Sequence, residues 1–302
     1  MTEFVSLTLI EKGWSHDRKY RAVTAEGEVF LLRVMPEGTH EKWSPWYERQ
    51  REYARLGVPM CETCEFGEWP GREGGVYAVQ RWIDGEDAEA VLPRLTPAAQ
   101  YEEGLKAGRI LRLIHSLPIP EDTRRGLPDW EAKFNAKLDR KIKGYLDCPL
   151  RIEGDAHLFR YIEETRPLLG GRPNACQHGD YHVGNMMFER RGEFPGRPTV
   201  IDFNREDFGD PWEEFNRIVW CAGCAPAFAR GRVDGYFGGA EHVPELFWRL
   251  LALYIASNTL SSIYWAIPFG EREIKTMTAQ AAAVLGWFEN MTNPVPSWYA
   301  EA

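Results

Sequence analysis

Three oxygen-bearing side chains stand at spacings that suit phosphoryl transfer. Asp180 and Asn185 lie five positions apart in Gln177-His178-Gly179-Asp180-Tyr181-His182-Val183-Gly184-Asn185, and Asp202 sits in Ile201-Asp202-Phe203. Moving a phosphoryl group needs a carboxylate that orients the acceptor hydroxyl and takes its proton. It also needs hard oxygen ligands for the Mg²⁺ that bridges the phosphates. Asp180 suits the first task, and the neutral oxygen of Asn185 with the charged oxygen of Asp202 suits the second. His, Asp and Asn in a glycine-containing loop are also ordinary turn formers, so the elements around them must bring the three together.

The elements needed are a strand after Asn185 and a strand before Asp202. Residues 185–189 and 199–203 have that character and flank a loop rich in Gly, Pro and Arg, which predicts a hairpin. Upstream, Val5, Leu7 and Leu9 alternate with polar residues, and a second strand is expected from Tyr20 to Thr24. Glu26-Gly27 turns the chain into a third strand over 29–34. Residues 41–56 carry helix formers and end at Gly57-Val58-Pro59, a helix stop. Strand-like runs at Glu65-Phe66 and over 76–82 complete a five-stranded antiparallel sheet with one helix. Beyond Ile83-Asp84-Gly85 the period becomes helical, with Thr96 as N-cap and Pro97 in the first turn. The expected architecture is α+β and bilobal: an N-terminal lobe over 1–82 and a mainly helical lobe over 83–302.

Composition narrows the class. A chain of 302 residues exceeds what one hydrophobic core usually covers, and 44% hydrophobic with 13% aromatic residues supports packed lobes rather than disorder. The formal charge of −9, from 36 basic and 45 acidic side chains, repels a phosphate backbone and draws in a cationic small molecule, so nucleic acid is not an expected partner. Glu3 and Glu11 stand where an export signal needs a basic start and an apolar stretch. The apolar segment 246–269 is interrupted by Arg249, Ser257, Asn258, Thr259, Ser261 and Ser262, which reads as a buried core helix and not a membrane span. Six cysteines without an export signal read as reduced thiols in the cytoplasm. The pairs Cys61/Cys64 and Cys221/Cys224 have zinc-like spacing, but nothing around them supports a zinc knuckle, and packed thiols are the expectation.

The loop and Ile201-Asp202-Phe203 resemble the aminoglycoside phosphotransferase family, protein-kinase-like small-molecule kinases whose catalytic loop reads His-Gly-Asp followed five residues later by Asn. Gly209-Asp210-Pro211 resembles that family's Gly-Asp-Pro turn, and the strand-first, helix-later order extends the likeness over nearly the whole chain. The resemblance implies that Asp180 is the catalytic base, that Asn185 and Asp202 hold Mg²⁺, and that His178 and Asp210 brace the loop. It also implies a basic residue on the third strand that grips the phosphates of ATP or GTP. Arg33 matches it, paired with Glu48 or Glu52 on the following helix. No Gly-x-Gly-x-x-Gly loop is present. The phosphate cover therefore falls to the turn over 13–17, through Ser15, His16 and backbone amides, and the adenine to the linker of Gln80, Arg81, Trp82 and Ile83.

Too few residues separate Phe203 from Asp210 for the long activation segment that a peptide kinase needs. Glu206, Asp207, Glu213 and Glu214 near Asp202 would attract a polyamine sugar, or Glu213 and Glu214 merely favour a helix start. Trp220, Tyr264, Trp265 and Trp298 are candidates for stacking on a sugar or for core. An aminoglycoside-like acceptor is the leading expectation. Choline, ethanolamine, homoserine or methylthioribose follow, and an inactive nucleotide-binding module is a different class. A monomer or weak dimer is expected.

Overall fold

The computed structural model describes residues 1–11, 17–36, 38–71, 74–190, 192 and 194–300. In chain order the elements begin β1 (Ser6–Ile10), β2 (Arg18–Val23), β3 (Val29–Met35), α1 (His40–Arg55), β4 (Thr63–Glu68), β5 (Val76–Arg81), β6 (Gly85–Asp87) and α2 (Ala88–Val91). They continue with α3 (Pro97–His115), α4 (Glu121–Gly126), α5 (Trp130–Asp147), α6 (Asp155–Thr165), β7 (Ala175–Gln177), β8 (Met186–Glu189), β9 (Arg197–Val200) and β10 (Asp207–Gly209). The last are α7 (Ile218–Cys224), α8 (Pro226–Phe237), α9 (Glu245–Ala266), α10 (Glu271–Trp287) and α11 (Ser297–Ala300).

The chain divides into two compact units, Met1–Ala88 with Asn185–Phe203, and Glu89–Gly184 with Asn204–Ala302. In the first, five strands pair antiparallel in the order β1-β2-β3-β5-β4. Strand alternation splits β3 between two cores. Leu32 and Val34 pack with Ala22, Tyr77 and Val79 on one face, while Met35 joins Val76, Ala78 and Trp46 of α1 on the other. Arg33 shares the α1 face and is 3% exposed. Thr39 caps α1 by accepting from the Lys42 N–H, and Gly57 ends it at φ +83°, a value that L side chains rarely adopt. A second sheet, in the order β6-β8-β9, belongs to the same unit. Its β9 edge is tied to the preceding chain through Cys61 N to Val200 O and Val200 N to Pro59 O.

The second unit is mainly helical. Thr96 caps α3 with Pro97 in the first turn, as the sequence leads one to expect. Helix α9 is its axis: Leu250, Leu251, Leu253, Ile255 and Leu260 are each at most 1% exposed, and each contributes about 1.5–3 kcal/mol of burial. Among the described residues one helical stretch, Glu245–Phe269, is long and apolar enough to cross a membrane, and 67% of its apolar window is buried inside the protein. Helices α3 and α8 touch backbone to backbone. A Cβ on Gly104 or Gly108 would lie 2.3 Å from Phe228 O or 2.2 Å from Arg232 O, and on Gly231 or Gly235 it would lie 2.2 Å from Tyr101 O or Leu105 O.

Candidate active site

Strand β7 delivers the chain into the loop 178–184, and β10 pairs with it, Asp207 opposite Gln177. The loop is fixed from several sides within the second unit. The Glu214 carboxylate accepts the backbone N–H groups of His178 at 2.7 Å and Gly179 at 2.6 Å, charge-assisted bonds in a site where Glu214 is 3% exposed. Gly179 has φ +81°, and a Cβ there would stand 1.8 Å from Arg205 O, so no other residue fits. His178 is fully buried, and its Nδ1 accepts from the Asp180 N–H at 3.2 Å. Tyr181 donates to Ala107 O of α3 at 2.7 Å. The turn after β10 is held by Asp210, fully buried, which receives Arg172 through two nitrogens at 2.7 and 2.8 Å and Tyr254 OH at 2.6 Å.

The Asp180 carboxylate faces cations. Arg217 Nε is 3.2 Å from Oδ1 and Arg205 Nη1 is 3.7 Å from Oδ2. His182 Nδ1 accepts from the Gly184 N–H at 3.1 Å, which leaves its ring proton on Nε2, 3.6 Å from Asp180 Oδ1. Burial pushes the His182 imidazole down to about 4, only partly offset by Asp180, so the ring is neutral at pH 7.

In the first unit, the hairpin base joins the other two candidates: Ile201 N donates to Asn185 O at 3.0 Å, one residue before Asp202. Asp202 takes φ +65°, a left-handed conformation uncommon outside glycine and tolerated best by Asn and Asp. Its carboxylate receives Arg33 Nη1 at 3.2 Å, while Arg33 Nη2 binds Asp17 at 2.6 Å. This corrects the pairing expected from the sequence. Trp46, Gln50 and Tyr53 form the buried face of α1, and Glu48, two residues from Trp46, points the other way, exposed, and pairs with Arg51 at 3.2 Å. Glu52 is half-buried, and the two carboxylates that meet Arg33 are Asp17 and Asp202. Arg33 Nε is buried with no hydrogen-bond partner among the described residues, an open donor. Lys19 lies opposite Arg33 in the β2–β3 register, and burial together with Arg33 lowers its affinity for its proton. Ser15 and His16 lie outside the described residues. Gln80 turns its side chain inward to Thr63 Oγ1 at 3.0 Å, Ile83 is buried, and Trp82 is half-buried with Arg21 over its ring.

The carboxylates expected to hold a cationic acceptor have other partners. Lys133 pairs with Asp207 at 2.8 Å, and Lys137 with Glu213 at 2.8 Å, which is 7% exposed. Glu214 holds the loop backbone and is closed over by His115 at 3.3 Å. Glu206 is half-buried. Trp298 is core at 6% exposed, Trp265 stacks on Phe269, and Trp220 lies near His182. Sequence reasoning passed over Arg217, Arg205, Lys19, Asp17, Arg232 and the lysines of α5. For the lysines a signal existed: 133, 137 and 141 recur every four residues and share one helix face.

A metal reading fits the donor set. Among the described residues no three His, Cys, Asp or Glu side chains cluster as an all-protein cage. An amide oxygen and one carboxylate at the base of a hairpin are what Mg²⁺ accepts when phosphates supply the rest.

The sequence profile of the phosphotransferase enzyme family (APH) matches residues 6–247. No curated protein matches the chain by sequence. Solved structures share the fold. The GDP and kanamycin complex of APH(2″)-IIIa has a TM-score of 0.68 at 14% identity, covering 96% of this chain and 94% of that one. An apo thermostable mutant of aminoglycoside phosphotransferase APH(4)-Ia has 0.63 at 18%, covering 93% and 94%. The amicoumacin kinase hAmiN with AMP-PNP, Ca²⁺ and its ligand Ami has 0.64 at 12%, covering 98% and 92%.

Proposed function

The chain belongs to the phosphotransferase enzyme family, and on that footing we propose that it transfers the γ-phosphoryl group of ATP or GTP to a hydroxyl of a small molecule. The observation that carries the reading is the clamped loop. Glu214 and Gly179 fix the backbone beneath Asp180, so its carboxylate is pre-positioned before any substrate arrives. In the proposed reaction the acceptor oxygen bonds to the γ-phosphorus as the β–γ bridging bond breaks. The hydroxyl proton passes to Asp180, and the nucleoside diphosphate leaves. Arg33, with its open Nε donor, and Lys19 would hold phosphate oxygens, and the first unit would be the nucleotide side. Asn185 and Asp202 would hold Mg²⁺, which neutralises charge on the phosphates when bound. The second unit would carry the acceptor, and the enzyme would work in the cytoplasm.

For the acceptor, an aminoglycoside-like polyamine is supported by the net charge of −9 and by the kanamycin complex of a protein with this fold. The second reading is a small metabolite such as homoserine, choline or ethanolamine, and a specific observation favours homoserine, which carries a carboxylate, among them: lysines already neutralise Asp207 and Glu213. Intact Asp180, Asn185 and Asp202 speak against an inactive nucleotide-binding module. Purified protein with ATP, Mg²⁺ and a panel of aminoglycosides, choline, ethanolamine and homoserine is expected to release ADP with one of them. Asp180→Ala should lower turnover roughly 10²- to 10⁴-fold and leave nucleotide binding in place. Equal turnover by the variant overturns the assignment.

A further inference from the structure

Helix α5 carries a row of lysines, 133, 137 and 141, one per turn, along the wall of the second unit that holds Asp180. The first two each meet a carboxylate, Asp207 and Glu213. The third does not: among the described residues no carboxylate pairs with Lys141, whose Nζ reaches Ser257 Oγ at 3.3 Å and Asn258 Oδ1 at 3.4 Å. Both are polar interruptions of the apolar axis helix α9, Ser257 fully buried and Asn258 half-buried, and they give Lys141 neutral oxygen acceptors where Lys133 and Lys137 each have a carboxylate. Lys137, Lys141 and Arg217 all act electrostatically on one buried carboxylate, Glu213, and Arg217 also touches Asp180. Lys137, Lys141 and Arg217 thus share two anions, Glu213 and the candidate base Asp180 itself, in a protein whose net charge is −9. Burial and the neighbouring Lys137 press the Lys141 amine down to about 7, an environment that an arriving anion relieves.

We infer that the acceptor carries an oxyanion, a carboxylate or a phosphate, beside the hydroxyl that is phosphorylated, and that Lys141 and Arg217 bind it. The inference rests on the phosphotransferase reading and names its substrate class. A polycationic acceptor would have to displace Lys133 and Lys137 from their carboxylates and sit against Lys141, an unfavourable like-charge contact in a partly desolvated place. An oxyanion instead completes the charge balance and gives the row of donors its missing partner.

The test measures ADP release by the full chain on matched acceptors: D-glycerate against glycerol, L-homoserine against 3-aminopropanol, glycerol 3-phosphate against glycerol, and kanamycin alone. The expected result is that an oxyanion acceptor exceeds its matched counterpart at least tenfold in kcat/KM, the carboxylate and phosphate arms showing which oxyanion is read. Lys141→Met should then raise KM for that acceptor roughly ten- to hundredfold, with a smaller change in kcat, and Lys141→Arg should recover part of the loss. Melting temperature and ATP binding of each variant separate lost recognition from lost folding. Turnover of kanamycin or of the counterparts that lack an oxyanion, without preference for an oxyanion, overturns the inference and leaves the phosphotransferase reading standing. ATP binding with no turnover on any acceptor sinks both. Unchanged KM in a folded Lys141→Met protein removes Lys141 from the site.

Discussion

A half-buried histidine beside a carboxylate often carries a proton, but His182 does not, because desolvation outweighs the attraction of Asp180 and three further cationic or ring neighbours oppose protonation. Its folded value of about 4 lies below the unfolded value near 6.5. Between those limits the unfolded chain binds the extra proton, so the stability that His182 contributes is complete above pH 6.5 and is lost as pH falls toward 4. The amount is about 3 kcal/mol at most. Thermal melts of wild type and His182→Gln from pH 4 to 7 should show the slope in the wild type and a flatter one in the variant. Arg217 works on the same carboxylate by position. Arg217→Met frees the Asp180 side chain on one side, and kcat is expected to fall roughly tenfold or more, with nucleotide KM unchanged. At this scale the sequence was informative where a short segment carries its own signal: the spacing of Asp180 and Asn185, and Asp202 in Ile201-Asp202-Phe203, singled out all three as candidates. It was silent on Arg217 and Asp17, because nothing local says which of 36 basic side chains folds back on a given carboxylate.

Helices α3 and α8 explain how the loop is supported from behind. Glycines four residues apart on each helix, 104 and 108 against 231 and 235, let the backbones approach until carbonyl oxygens occupy the space of a Cβ. That approach seats fully buried Arg232 of α8 over the rings of Tyr181 and Phe215, with Nη2 donating to Glu214 O at 3.3 Å. Glu214 in turn carries the His178 and Gly179 amides. Gly108→Ala therefore has no flexible side chain to push aside, only backbone, and should cost about 1–3 kcal/mol with a matching drop in melting temperature. Activity measured well below the melting point should fall as well, since the displaced helix carries Ala107, the acceptor of Tyr181 OH. Helix existence was readable from period and caps: Thr96-Pro97 opens α3 as expected, and α1 ends at Gly57. The glycine spacing was visible too, but its partner was not, because α3 and α8 lie more than a hundred residues apart in the chain and periodicity speaks only of one helix at a time.

The chain passes between the two units after residues 88, 184 and 203, so neither unit is a single stretch of sequence. Periodicity marks a change from strand to helix near residue 83. It does not show that residues 185–203 group with the first unit, since their partners at 59–61 and 85–87 precede them by about a hundred residues. The candidate groups are divided accordingly: Arg33, Asn185 and Asp202 in the first unit, Asp180 in the second, with the boundary at the Gly184–Asn185 bond. A fragment ending at residue 88 would keep β1 to β5 and lose β8, β9 and Asp202, leaving Arg33 buried at 3% exposure with one of its two carboxylates gone. The full chain should behave differently on nucleotide addition. At 100 times its Kd, ATP bound to the native state alone adds about 2.7 kcal/mol, which for a protein of this size raises the melting temperature by roughly 5 °C. Arg33→Met should remove most of that rise, and the fragment 1–88 should show none. A full upward shift in the Arg33→Met protein would place the phosphates elsewhere and take Arg33 out of the nucleotide site.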